Sequence, residues 1–204
     1  MSDRYRPPLI LASQSPARQR LLEAAGFCFT AQPSHFDEDG IQEADPIVLV
    51  KTLAAKKAEV IAQRQQQPAL VIGADSILYF NGAIQGKPDS PEEALDRWQA
   101  MRGGVGELFT GHALIDTYQG KSLCHYAVTR VFFAKPSDHE IQAYIATGEP
   151  LACAGCFAID GYGGVWVEGI QGCHTNVIGL SMPLLGRMLT ELGYTITDFW
   201  ASKR

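Results

Sequence analysis

With 204 residues, 46% of them hydrophobic and 19% charged, the chain has the make-up of one folded domain with a continuous core, not of a disordered segment. Its 17 Lys and Arg against 22 Asp and Glu give a formal charge of -5, which excludes a nonspecific grip on a nucleic-acid polymer and leaves room for a small anion held by a few local cations. No stretch approaches the ~18 apolar residues of a membrane span, the run after Pro7-Pro8 is shorter than the ~7–15 residues of a signal core, and five cysteines form an odd set that suits reduced thiols in a cytoplasm.

Leu9 to Ala12 is a short buried strand that stops at two hydroxyls. Ser15 is placed to cap a helix with Pro16 at its first position, Leu21, Leu22 and Ala25 give that helix an apolar face, and Gly26 ends it. A helix N-terminus beside the Ser13 and Ser15 hydroxyls, with Arg18 one turn in, would receive an anion. Phe27 to Ala31 reads as a second strand, followed by an acidic loop from Pro33 to Asp45 that carries Asp37, Glu38 and Asp39. Asp45 and Pro46 then open a helix to about Arg64.

Leu70 to Ala74 is a strand that ends on Asp75. Ser76 to Phe80, Asn81-Gly82 and Ala83 to Gln85 form a hairpin, Gly86-Lys87-Pro88 breaks the pattern, and Ser90-Pro91 starts a helix to about Met101. Gly103, Gly104 and Gly106 make a flexible turn. From Glu107 to Ala134 two long strands flank Gln119-Gly120, and Ser137 caps a helix to about Thr147. A glycine-rich region from Gly148 to Gly179 has strand character at Val165 to Glu168, and a last helix covers Met182 to Leu192. No repeat and no linker divides the chain, so the expectation is one α/β domain over residues 1–204, with a mixed, strongly twisted central sheet that includes a long hairpin and is flanked by helices.

Three loops carry charges that a core would reject: Ser13 to Arg18, Asp37 to Asp39, and Asp75 with Lys87. Carboxylates beside cations and an anion-receptive helix end suit a metal with a polyphosphate, the oxygens holding the ion while Lys and Arg hold phosphate. A competing set is Cys153-Ala-Gly-Cys156 with Cys173-His174, four potential zinc donors, although adjacent residues rarely aim at one tetrahedral centre. That second reading is a zinc-stabilised, non-enzymatic regulatory or interaction protein linked to cell division. There is no GxxxxGK[ST] and no GxSxG, and His35, His112, His125 and His139 show no spacing that makes a site. Gly161, Gly163 and Gly164 suit a tight turn or close approach to a flat ligand.

Ser13-Gln-Ser-Pro-Ala-Arg18 with Leu21-Leu22, then Ser34 to Glu38, Leu53 to Ala58, Ile72 to Asp75, Gly86-Lys87-Pro88, Thr110-Gly111, Gly148-Glu149-Pro150, Ala154-Gly155 and Asn176 to Leu180 occur in order over nearly the whole chain. This series resembles the Maf family, once named for septum formation and regarded as nucleoside triphosphate pyrophosphatases of an ITPase-like architecture. The resemblance implies hydrolysis of a nucleoside triphosphate to a monophosphate and diphosphate with a divalent cation (Mg²⁺, Mn²⁺ or Co²⁺), and a cytoplasmic homodimer. Carried over by position, Asp75 is the general base and a metal carboxylate, Glu38 the second metal carboxylate, and Arg18, Lys57 and Lys87 the phosphate cations, with Ser13 lining the phosphate turn.

The base pocket departs from the family's patterns. In the family, members specific for dTTP and UTP usually have arginine where Ala17 stands, threonine where Ser76 stands, glutamine where Asp160 stands and a Lys-Ala-Gly; a branch acting on 7-methyl-GTP usually has tryptophan, glutamine and glutamate at those positions and a Cys-Ala-Gly. Cys153-Ala154-Gly155 and the acidic Asp160 lean to a guanine-like or modified purine, with dTTP and UTP left open. Ala17 cannot stack on a cationic base as tryptophan would.

Overall fold

A computed structural model describes residues 5–38 and 40–201; Asp39, of the acidic loop, and the ends of the chain lie outside the described residues. The order is β1 (Leu9–Leu11), α1 (Pro16–Ala24), β2 (Thr30–Ala31), α2 (Pro46–Arg64), β3 (Leu70–Phe80), β4 (Ala83–Gln85), α3 (Pro91–Met101), β5 (Val105–Asp116), β6 (Lys121–Phe133), α4 (Asp138–Ala146), β7 (Val167–Gln171), α5 (His174–Ile178) and α6 (Met182–Glu191). Among these residues the sheet has seven strands in the order β2-β1-β3-β5-β6-β7, with β4 beside β3. β1 runs parallel to β2 and β3, and the other pairs are antiparallel, so the expected mixed α/β sheet with a long β5–β6 hairpin is what forms.

The long helices start where the sequence places their caps. Ser15 Oγ accepts from the Arg18 amide, Asp45 from those of Ile47 and Val48, and Ser137 and Glu140 form a reciprocal capping box, each ahead of a buried face. Side-chain alternation along β1 divides the core. Leu9 and Leu11 join Leu22 of α1 and Leu185 and Met188 of α6 on one face, while Ile10 and Ala12 meet Ala54, Ala58 and Ile61 of α2 on the other. A third cluster gathers α3 and α4 around the fully buried Trp98, whose indole N–H donates to the Cys156 carbonyl.

Four local expectations change. The strand at Phe27 to Ala31 shrinks to Thr30–Ala31, with Phe27 held in a single bridge to Trp200. Strand character at Val165 to Glu168 moves to Val167–Gln171, behind a 3-10 turn at Tyr162–Trp166, and the glycine-rich region also yields the short α5. β5 starts at Val105, so Gly106 lies inside a strand and not in a turn. Most consequential, Asp75 does not end a strand: β3 runs unbroken through it, with Asp75 paired opposite Gly111.

That continuity creates the opening. β1 accompanies β3 only as far as Leu11 opposite Ile72, and β4 takes up the same edge from Gln85 opposite Leu78. Between them the edge of Gly73 to Ile77 carries no strand among the described residues.

Candidate active site

The gap in the edge of β3 is the floor of a cleft of about 1200 Å³, and Ser13, Ala17, Arg18, Glu38, Lys57, Asp75, Ser76, Lys87 and Asp160 all line it. The residues of the phosphate, metal and base reading therefore share one space, whereas Cys156, Cys173 and His174 of the alternative zinc set are not in its lining. The residues of that reading come from the β1–α1 turn, helices α1 and α2, both faces of β3 and the loops that carry Glu38, Lys87 and Asp160.

Helix α2 reaches the floor because two glycines let it down. A Cβ on Gly73 would lie 2.1 Å from the Ala54 carbonyl oxygen, and one on Gly111 would lie 2.0 Å from that of Val50. Strand side chains alternate, so Gly73, Asp75 and Ile77 share the face that α2 covers, and Lys57, the residue before Ala58, hangs over Asp75. Its ammonium donates to Asp75 Oδ1 at 2.5 Å and to Glu38 Oε1 at 2.8 Å. Lys57 and Asp75 are each 11% exposed, whereas Glu38 is 47% exposed on its loop. Burial raises the Asp75 carboxyl above its ordinary value, and this outweighs the opposing pull of Lys57 and Arg18. Burial makes this carboxylate more basic while the Lys57 ammonium favours its charged form, a combination suited to taking a proton.

On the other face of β3, Ser76 stands opposite Thr110 and faces α1. Arg18 is fixed there at three points: Nε donates to the Gly179 carbonyl at 2.8 Å, Nη2 to Ser76 Oγ at 3.1 Å and Nη1 to Ser13 Oγ at 3.3 Å. Ser13 Oγ also accepts from the Ser15 amide at 3.1 Å. A guanidinium carries five N–H groups, so two are left for a ligand, already aimed. Burial pulls the Arg18 pKa down against the opposing effect of Asp75 and Glu38. Behind Ser76, the Thr110 hydroxyl lies 2.9 Å away and donates to the Asn176 carbonyl, and Asn176 in turn donates to Leu108 and Thr129.

Thr110-Gly111 and Asn176 to Leu180 carry the family pattern without an assigned role; here Gly179 holds Arg18 directly and Thr110 holds it through Ser76. His112 showed no site spacing, and it is buried for another purpose. Its Nε2 accepts from the Ser181 amide at 2.7 Å and its Nδ1 faces the Thr110 carbonyl at 3.0 Å, which fixes a neutral ring, and burial lowers its pKa to about 4.

Lys87 is exposed on the rim, after Gly86, whose carbonyl accepts from Arg97 Nη1 at 2.8 Å. Asp160 is already engaged: Arg20 Nη2 donates to its Oδ2 at 3.1 Å. No motif or spacing singles out Arg20. The glycines after Asp160 serve packing, because the Tyr162 and Gly163 amides both donate to Glu149, and a Cβ on Gly161 would lie 2.1 Å from that carboxylate.

The four potential zinc donors do not converge. Cys156 is buried against Arg97, Cys173 bonds Thr175 and Ser181 at the start of α5, and all five cysteines are free thiols. Among the described residues no group of three or more His, Cys, Asp and Glu is arranged to hold a metal by protein ligands alone. Glu38 and Asp75 are a two-carboxylate set around one ammonium, and hard oxygen donors of that number fit a Mg²⁺-like ion whose other positions go to water and phosphate.

A family model described as Maf-like protein matches residues 8–192. The chain belongs to the Maf family. Among Maf relatives, a nucleoside triphosphate pyrophosphatase of Synechococcus sp. (strain JA-2-3B'a(2-13)) is 65% identical over 195 residues, covering 96% of this chain and 99% of its own. A protein of the same name from Nostoc punctiforme is 57% identical over 194 residues, covering 95% and 98%. Among solved structures, a nucleoside-triphosphatase or dITP/XTP pyrophosphatase from Mycobacterium abscessus overlays with a TM-score of 0.43 at 12% identity, covering 91% of this Maf chain and 98% of that one. No helix among the described residues is long and apolar enough to cross a membrane.

Proposed function

We propose that this Maf protein is a nucleoside triphosphate pyrophosphatase, converting a nucleoside triphosphate and water to a nucleoside monophosphate and diphosphate. The observation that carries this reading is the Lys57 ammonium between Asp75 and Glu38 in the same cleft as the braced Arg18. The names of relatives 57% and 65% identical support it.

In this reading Arg18, Lys57 and Lys87 grip phosphate oxygens, and Ser13 with the start of α1 lines the phosphate turn. Asp75 takes a proton from the attacking water, whose oxygen bonds to the α-phosphorus as the bond to the α–β bridging oxygen breaks. The arginine and lysines balance the charge that builds on the departing diphosphate, and their fixed positions mean little reorganisation as it forms. Glu38 and Asp75 are the residues that would hold a divalent cation, Mg²⁺, Mn²⁺ or Co²⁺; such an ion, when bound, adds Lewis-acid neutralisation of phosphate charge.

Ala17, Ser76 and Asp160 belong to the base end, and Cys153-Ala154-Gly155 with the acidic Asp160 supports a guanine-like or modified purine, 7-methyl-GTP included, with dTTP and UTP as the second class. The reading also includes a homodimer, as the family resemblance implies, and a cytoplasmic setting, which five free thiols suit. A screen of canonical and modified nucleoside triphosphates for diphosphate release, with Mg²⁺ and with Mn²⁺, tests it. Release from at least one nucleotide is expected, and none from any would overturn the reading.

A further inference from the structure

Arg20 and Asp160, 140 residues apart in sequence, join helix α1 to the turn after Phe157 by one hydrogen-bonded ion pair, and both line the cleft. Arg20 is 61% exposed and Asp160 28%, so the pair contributes little to stability and its value lies elsewhere. Its surroundings differ from the phosphate end. Ala17, Phe157 and Ile159 line the same wall, and an arginine neutralised by an aspartate has no net charge to offer a phosphate. A flat, uncharged, hydrogen-bonding group fits there, which in a nucleotide is the base. The proposal takes the occupant to be a nucleotide and so rests on the pyrophosphatase reading.

We propose that Arg20 is a specificity residue: by donating to Asp160 Oδ2 it competes with a base for that oxygen and leaves Oδ1 as the uncontested acceptor, while its own remaining N–H groups donate to an adjacent oxo oxygen. A free carboxylate would take both the N1–H and the N2 amino group of guanine at once. With Oδ2 shared with Arg20, the wall favours an oxo group beside a ring N–H, an edge that guanine shares with hypoxanthine, uracil and thymine. The guanine amino group then gains little at Asp160, and its absence costs little. Arg20 thus broadens the site from guanine to the class of oxo bases.

Comparing GTP with ITP isolates this, because the two differ only in that amino group. The wild type is expected to process them with kcat/KM values within about threefold, and Arg20→Ala, by freeing Oδ2, to shift the ratio towards GTP by about 10-fold, the scale of one well-placed base contact. Arg20→Ala/Asp160→Ala should lose that shift, which separates the released carboxylate from any general disturbance of α1. A wild type that already prefers GTP more than 10-fold, or an Arg20→Ala ratio within twofold of wild type, overturns the proposal. Calorimetric binding of GMP and IMP to the same proteins distinguishes the two levels: the same pattern in binding without diphosphate from any triphosphate overturns the pyrophosphatase reading alone.

Discussion

The Lys57 ammonium sits 2.5 Å from Asp75 Oδ1, held there by a helix that comes down onto the sheet over Gly73 and Gly111. Burial raises the Asp75 pKa, and Lys57 is the largest influence opposing it. In the proposed reaction Asp75 acts in its ionised form, so activity is expected to fall as pH drops through the Asp75 pKa, with the acid limb of kcat/KM above the ordinary carboxylate value of 3.8. Lys57→Met removes the opposing cation and should move that limb to higher pH as well as weaken phosphate binding. A limb that stays in place would separate Lys57 from the ionisation of Asp75.

The two glycines have ordinary φ values, so their substitution tests space alone. Gly73→Ala and Gly111→Ala each drive a methyl group into a backbone carbonyl of α2, and a loss of about 3 kcal/mol is expected, at the upper end of overpacking costs. Gly169→Ala, with open space around it, should stay within about 0.5 kcal/mol. Urea unfolding of the three variants checks the contrast.

His112 makes stability depend on pH. Its folded pKa of about 4 lies below the ordinary 6.5, so between those values the unfolded chain binds the extra proton, and stability is lost as pH falls through that window. The interval corresponds to about 3 kcal/mol for this one buried ring. Urea midpoints at pH 7.5 and 5, with NMR of the imidazole protons, test it: the ring should stay neutral at pH 5.5, and a midpoint near 6.5 would contradict the buried, neutral assignment.

Arg18→Lys keeps a positive charge but loses the planar fork that meets Gly179, Ser76 and Ser13. A fall in kcat/KM of about 10²-fold is expected from the lost orientation. Thr110→Val, which unties Ser76 from behind, should give a smaller loss in the same direction, and Thr110→Ser should restore activity.

Local signals made much of this legible in the sequence. Ser15-Pro16, Asp45-Pro46 and Ser90-Pro91 place helix starts correctly because a cap and a proline at the first position act through adjacent atoms. Ser13, Arg18, Glu38, Asp75 and Lys87 stand out by residue type and position, whereas Lys57, Ala17, Ser76 and Asp160 enter only through the family resemblance; all of them line the cleft. What escaped depends on long-range contact. A charged residue in an apolar run reads as a strand end, and only Gly111 opposite and Lys57 above let β3 continue through Asp75. Thr110, Gly179 and Arg20 gain their roles from partners 34 to 161 residues away, which no spacing along the chain reports.

The central claim is that water attacks the α-phosphorus with Asp75 as the base, and hydrolysis in ¹⁸O-labelled water with wild type and Asp75→Asn tests it most directly. The account predicts label in the nucleoside monophosphate, unlabelled diphosphate, and a rate about 10²–10⁴-fold lower in Asp75→Asn. Label in diphosphate or orthophosphate, or an Asp75→Asn rate within about threefold of wild type, would contradict it.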